Sequence, residues 1–113
     1  MFGIISASIS ATNGESTVSC GVLNSSPASF SFTWTFNHSQ VIVTQSRNIS
    51  KEWRQHVKSV SNSGSLVLHN VSAEQEGVYS CELSTAEETH VTNTLLRTEG
   101  GKIKAVQVNS FQL

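Results

Sequence analysis

Residues 65–81 read SLVLHNVSAEQEGVYSC, and this stretch decides how the rest of the chain is interpreted. Leu66 and Leu68 stand two positions apart, and so do Tyr79 and Cys81. Side chains at every second position lie on one face of a β-strand, so both pairs are predicted to face a core. A polar corner that contains a glycine separates the two pairs. The stretch therefore predicts two half-buried strands with Leu68 and Tyr79 inside.

Alternation with a period of two recurs along most of the chain, and short turn signals separate the alternating segments. The heaviest apolar face carries an aromatic residue at four successive alternate positions: Phe30, Phe32, Trp34 and Phe36. Further strands are predicted near 5–10, 17–22, 40–45, 56–60 and 90–97. The segment 45–54 is left open between a short edge strand and a helical turn. The chain is thus predicted to be all-β.

Length and charge limit the classes of protein to which this chain can belong. The chain has 113 residues, which is enough for one two-layer sandwich of about 100 residues. Charged residues make up 13% and the net charge is −1. The basic residues are scattered, so the basic stripe of a nucleic-acid binder is missing from the sequence. No apolar run approaches the roughly 20 residues of a membrane-spanning helix.

Three features coincide along this β-rich chain. Cys20 and Cys81 stand mid-strand, Trp34 follows the first cysteine by 14 residues, and Tyr79 precedes the second by two. In a two-sheet sandwich, such a cysteine pair bridges the sheets, the indole covers the sulfurs and the tyrosine hydroxyl bonds to nearby backbone. A bridge closing so long a loop would stabilise the fold by about 4 kcal/mol on the chain-entropy model. The alternatives are free buried thiols, a redox pair or zinc ligands.

At these residues the chain resembles the immunoglobulin superfamily, variable type. The matching pieces are STVSC at 16–20, FTWTF at 32–36 and the stretch 65–81, and the resemblance covers about residues 4–98. It implies an antiparallel two-sheet sandwich with one inter-sheet disulfide and a reduced edge strand after Gln45. Residues 99–113 alternate weakly, and we leave them open as a linker, an extra strand, the start of a following domain or a tail.

Departures from the family pattern indicate which members of the superfamily the chain resembles most. The usual aspartate six residues before the second cysteine is Gln75, and the chain contains no aspartate, so the usual ion pair with an arginine cannot form. The last strand lacks the Phe-Gly-x-Gly bulge of antigen receptors, which disfavours antigen-receptor pairing. The leucine-rich strand and the Gly-Val-Tyr-Ser-Cys ending look most like ectodomains of T-cell co-signalling ligands and butyrophilin-like proteins.

The resemblance also implies a partner face. If Trp34 and Cys81 point inward, their neighbours point outward, together with either Gln40 and Ile42 or Val41 and Val43 of the adjacent strand. We expect the face to comprise Thr33, Thr35, Gln40, Ile42, Glu82, Ser84, Glu87 and Glu88. Its carboxylates favour a partner with a basic patch. The plain alternative is a solvated sheet that binds nothing, and Trp53 is left open between an exposed anchor and a buried residue.

The sequence also offers glycosylation sites but little chemistry. Asn-x-Ser/Thr sequons begin at Asn24, Asn37, Asn48 and Asn70. The four histidines show no metal-ligand spacing, and neither a phosphate-binding loop nor a nucleophile elbow is present. We therefore expect no enzyme activity, no cofactor and no metal.

The expected function is an extracellular recognition domain of an immune co-signalling ligand or receptor, which binds a cell-surface protein. No nucleic-acid partner is expected, and a signal peptide and membrane anchor are expected to lie outside this chain. The first alternative is a homophilic adhesion module, in which the face pairs with itself as a weak homodimer. The second is a carbohydrate-binding or hydrolytic domain.

Overall fold

The computed structural model describes residues 2–3, 11–12, 15–20, 22–23, 30–62, 64–69, 73–86, 88–99 and 102–112. The strands in these ranges are β1 (Phe2–Gly3), β2 (Ala11–Thr12), β3 (Glu15–Val18), β4 (Val22–Leu23), β5 (Ser31–Phe36), β6 (Gln40–Val43), β7 (Val57–Val60), β8 (Leu66–His69), β9 (Gly77–Ser84), β10 (Thr89–Glu99) and β11 (Lys102–Gln112). Two short 3-10 turns lie at Lys51–Trp53 and Ala73–Gln75. The predicted strand at 5–10 lies outside the described residues.

The strands form two main antiparallel sheets. The front sheet has the order β11-β10-β9-β5-β6, and the back sheet has the order β2-β3-β8-β7, while β1 and β4 form a separate pair. The long connection between β6 and β7 contains an isolated bridge, Val43 to Ile49, and the first 3-10 turn. Of the two readings of segment 45–54, the helical turn is confirmed, and a single bridge stands in place of an edge strand.

A disulfide joins the two sheets. Cys20 follows β3 of the back sheet and is bonded to Cys81 of β9 in the front sheet, with the Cα atoms 5.4 Å apart. Trp34 is fully buried, and its Nε1 donates a hydrogen bond to the Gly64 carbonyl at 2.7 Å. Gly64 has a φ of +95°, which an L side chain rarely adopts. The all-β sandwich with one inter-sheet disulfide is confirmed.

The predicted core signature at the start of β9 is also present. Tyr79 is fully buried, and its hydroxyl donates to the Gln75 carbonyl at 2.7 Å. Burial raises the pKa of the Tyr79 hydroxyl above its ordinary value. Leu68 is buried in the back sheet as predicted. The side-chain amide of Gln75 contacts Nδ1 of His56, and this uncharged amide stands where the resemblance would place the aspartate of an ion pair.

Trp53 belongs to the core rather than to the surface. It is 4% exposed, and its ring centroid lies 5.1 Å from that of Phe36 and 6.0 Å from that of Tyr79. Tilted and edge-on aromatic pairs at these distances are favourable beyond their buried area. Tertiary packing therefore makes Trp53 a buried core residue and not an exposed binding anchor.

Candidate binding face

The front face is the outward surface of the front sheet, and β5 and β9 form its centre. On β5 the aromatic residues are buried, and the intervening Thr33 and Thr35 are partly exposed. On β9, Glu82 is exposed and Ser84 is partly exposed. The register places Thr33 opposite Glu82. The predicted Thr33, Thr35, Glu82 and Ser84 therefore lie together on one polar surface.

The neighbouring strand β6 departs from the prediction. Ile42 and Val43 are consecutive, yet both are fully buried. A register shift pairs Trp34 with Val43 but Thr35 with Val41, and such an irregularity breaks the two-residue alternation of a strand. Val41, which is 47% exposed, lies on the front face instead. The assignment of Ile42 to an exposed partner face is wrong.

Gln40 is exposed but turns away from the front face. It pairs with Phe36, whose side chain is buried. Its Oε1 accepts a hydrogen bond from Nε1 of Trp53 at 3.0 Å. Gln40 thus satisfies the buried indole at the lower rim of the sandwich, and we correct its placement from the partner face to that rim.

The hairpin between β9 and β10 lies at one end of the front face, which we call the upper end. The backbone N–H of Thr85 donates to the Glu88 carbonyl at 2.8 Å, and the N–H of Glu88 donates to Oγ1 of Thr85 at 3.2 Å. Glu88 is partly buried, and Glu87 lies outside the described residues. Beside the hairpin is an open cleft of about 400 Å³ lined by Phe30, Ser31, Gln45, Ser84, Thr85 and Ala86. The cleft joins the front face directly, because Ser84 belongs to both.

The front face continues over β10, where a strand was predicted near 90–97, and over β11, for which an extra strand was one of the readings left open. β11 pairs with β10 from His90 opposite Gln112 to Glu99 opposite Lys102, so the front sheet continues past residue 98. A ladder of polar side chains crosses three strands: Ser80 Oγ donates to Asn93 Oδ1 at 2.5 Å, and Asn93 Nδ2 donates to Asn109 Oδ1 at 2.6 Å. Weak alternation was the only signal of a strand at β11.

Apolar side chains lie exposed along this outer strand. Val106 is 46%, Val108 is 54% and Phe111 is 43% exposed. Together with Val41 they are the large hydrophobic residues that the described part of the chain leaves on its surface. We call Val106, Val108 and Phe111 the β11 edge.

A pocket at the lower end of the sandwich is small. Its volume is about 130 Å³, and it is lined by Phe36, Gln40, Glu52, Trp53, His56, Glu74 and Gln75. Pockets for small-molecule ligands usually hold roughly 300–1,000 Å³. Within the described ranges, no group of three or more His, Cys, Asp or Glu residues could hold a metal ion. We therefore place the candidate site on the front face.

Two titratable groups secure β10, the strand between the centre of the front face and β11. Hydrogen bonds from the hydroxyl and the backbone N–H of Thr98 hold the pKa of Glu76 below its ordinary value. Burial lowers the pKa of His90, and the charge of Glu88 opposes this effect in part. Nε2 of His90 lies 2.6 Å from Oγ of Ser110 in β11. Both groups thus connect β10 to neighbouring elements.

Two of the four sequons fall within the described residues. Asn37 is exposed in the turn between β5 and β6, and its Oδ1 accepts a hydrogen bond from the Val78 N–H at 2.9 Å. Asn48 is exposed in the connection after β6, and its Nδ2 donates to Oγ of Ser46 at 3.1 Å. Both therefore lie beside β6, at the edge of the front sheet opposite β11. The sequons at Asn24 and Asn70 begin outside the described residues.

Comparison with known families agrees with this architecture. A family model described as an immunoglobulin domain matches residues 4–85, which is more than half of the chain. The chain therefore belongs to the immunoglobulin domain family. Comparison with curated proteins and with solved structures gave no match. The variable type and the co-signalling subfamily stay predictions.

Two general conclusions about function follow, one from membership of this family and one from the disulfide. Immunoglobulin domains commonly mediate recognition or adhesion and are generally not enzymes. A structural disulfide between Cys20 and Cys81 indicates a protein that folds in an oxidising compartment, as extracellular and secreted proteins do. No helix in the described part of the chain is long and apolar enough to cross a membrane.

Proposed function

We propose that this domain is the variable-type recognition module of a cell-surface protein in immune co-signalling, and that it binds a protein partner through its front face. The observation that carries the proposal is the exposed carboxylate of Glu82, opposite Thr33 on a polar sheet that opens onto the cleft beside the β9–β10 hairpin. A flat polar surface can be covered by a partner, and the cleft can accept one of the partner's side chains.

The chemistry of this face favours a basic partner. Glu82 is exposed and Glu88 lies at the hairpin above it, and carboxylates at a rim steer a positively charged surface during association. The face is rigid because the Cys20–Cys81 disulfide and Trp34 lie directly behind it. A rigid face loses little conformational entropy on binding. We expect weak binding that becomes effective through many copies on a membrane, with no chemical reaction.

The sequons support a location on the outer side of the plasma membrane. Asn37 and Asn48 are exposed beside β6, where a glycan would leave the centre of the front face open. Glycosylation at Asn24 and Asn70 is part of the same proposal. Peptide mapping of protein secreted from animal cells would reveal which of the four asparagines carry glycans.

The test is a binding screen of the tetramerised domain against a panel of cell-surface ectodomains. Against any partner found, we expect Glu82→Lys to weaken binding at least about tenfold, because it places a like charge opposite the partner's basic patch. The matched control is Glu74→Lys, an exposed glutamate at the corner before β9, which should leave binding unchanged. Equal loss in both variants would contradict the front-face assignment. A hit confined to a glycan array would contradict protein recognition.

A further inference from the structure

We propose that two copies of this chain associate side by side by pairing their β11 strands antiparallel, so that the two front sheets become one continuous sheet. The proposal concerns the outer edge strand of the front sheet, and of the proposed function it takes over only the glycosylation of the sequons. It rests on the exposure, length and charge of β11 and on the position of the sequons.

β11 is long and one side of it is open. It has 11 residues, which correspond to about 36 Å of extended chain, whereas the opposite edge strand β6 has 4. β10 pairs with one side of β11, and among the described residues no strand pairs with the other. Unpaired N–H and C=O groups along a long edge are a template for another strand.

The side chains of the β11 edge favour a second copy over a charged peptide. Val106, Val108 and Phe111 are 46%, 54% and 43% exposed, so a partner strand must offer apolar groups in return. A twofold axis through the middle of this set brings Val106 of one copy against Phe111 of the other, and the reverse contact follows by symmetry. Each copy therefore supplies the apolar surface that the other one needs.

Charge permits this arrangement as well. Lys104 is exposed near the start of β11, and antiparallel pairing sets the two Lys104 residues at opposite ends of the seam. They would lie about 30 Å apart, well beyond the roughly 8 Å over which exposed charges interact at physiological salt. The two Lys104 residues therefore do not oppose the pairing.

The sequons leave this edge clear. The two in the described ranges, Asn37 and Asn48, lie beside β6, where glycans would obstruct strand addition. β9, β10 and β11 carry no sequon. A glycosylated front sheet would thus have one blocked edge and one accessible edge, and pairing through the accessible edge stops at a dimer.

The test is sedimentation velocity on the glycosylated chain over a wide range of concentration. We expect a reversible dimer, and we expect Val106→Lys to weaken dimerisation about tenfold, because a twofold interface contains every substitution twice. The matched control is Val41→Lys: Val41 is 47% exposed against 46% for Val106 and lies on the opposite edge strand of the same sheet. This control should dimerise like the unmodified chain, and thermal unfolding should show that both variants fold.

Hydrogen exchange locates the interface independently. Amides of β11 should gain protection as concentration rises, while amides of β6 should not. A chain that stays monomeric throughout, or a dimer that Val41→Lys weakens as much as Val106→Lys does, would overturn the proposal. Glu82→Lys should weaken partner binding and leave dimerisation intact, so failure here and failure of the proposed function are distinguishable.

Discussion

Trp34 and Tyr79 are both fully buried, yet each carries a polar atom that must be satisfied. The Trp34 indole donates to the Gly64 carbonyl and the Tyr79 hydroxyl donates to the Gln75 carbonyl, both at 2.7 Å. A buried donor without a partner costs about 1–3 kcal/mol, so these bonds define where the two rings can lie. Thr94 is different: it is buried, and its Oγ1 has no hydrogen-bond partner among the described atoms.

Replacement of Thr94 by valine should therefore stabilise the fold. Thr94→Val exchanges an unsatisfied buried hydroxyl for a methyl group of similar size, and we expect the free energy of unfolding to rise by about 1 kcal/mol. Urea denaturation followed by tryptophan fluorescence measures the change. The control is Thr92→Val on the same face of β10. Oγ1 of Thr92 has a hydrogen-bond partner, Oγ of Ser110 at 3.4 Å, so this substitution should not raise the free energy of unfolding. Should Thr94→Val lower stability instead, its hydroxyl must have a partner.

At the scale of secondary-structure elements, the sequence predicted the strands whose alternation matches a buried face. In β5 and β8 the predicted inward residues are buried. β6 could not be predicted in detail, because the register shift that buries both Ile42 and Val43 arises from pairing with β5. β11 remained open for a similar reason, since a weakly alternating segment becomes a strand only when a partner such as β10 satisfies its backbone. The location of Trp53 likewise depended on contacts with Phe36 and Tyr79, which are distant in sequence.

The junction of the β5–β6 turn with the start of β9 shows how such non-local contacts fix an element. A Cβ atom added to Gly77 would lie 2.8 Å from the nearest Phe36 ring atom and 2.5 Å from Oδ1 of Asn37. Asn37 also receives the Val78 N–H and donates its own N–H to the Val78 carbonyl at 2.7 Å. The turn therefore packs against a position that has room only for glycine.

We expect Gly77→Ala to lower the free energy of unfolding by about 2 kcal/mol, because the ring of Phe36 must shift within a packed core. Urea denaturation measures the loss. Residues in contact have non-additive effects, so Phe36→Leu, which shortens the opposing side chain, should reduce the cost of Gly77→Ala in the double variant. Additive effects of the two substitutions would show that the crowding against Phe36 is not the cause.

At the scale of the whole molecule, β10 lies between the centre of the front sheet and β11, and a pH-sensitive contact secures it near each end. Near the hairpin, His90 contacts Ser110 of β11. Near the other end, the carboxylate of Glu76 accepts hydrogen bonds from the hydroxyl and the N–H of Thr98. The pKa of each titrating group is lowered in the folded state. Acid should therefore weaken the attachment of β10 to its neighbours, and with it the sheet on which both proposed interactions depend.

The sign of this effect is the same for both groups. The folded pKa of His90 lies below the ordinary value of 6.5, so the unfolded state binds more protons as pH falls through 6.5, and stability decreases. Glu76 stabilises the fold above its ordinary pKa of 4.5, and that contribution is lost as pH falls through its lower folded pKa. Thermal unfolding midpoints should thus decline in two stages from neutral to acid pH. His90→Gln should remove the upper stage and Glu76→Gln the lower one, whereas an unchanged profile in both variants would mean that other groups control acid unfolding.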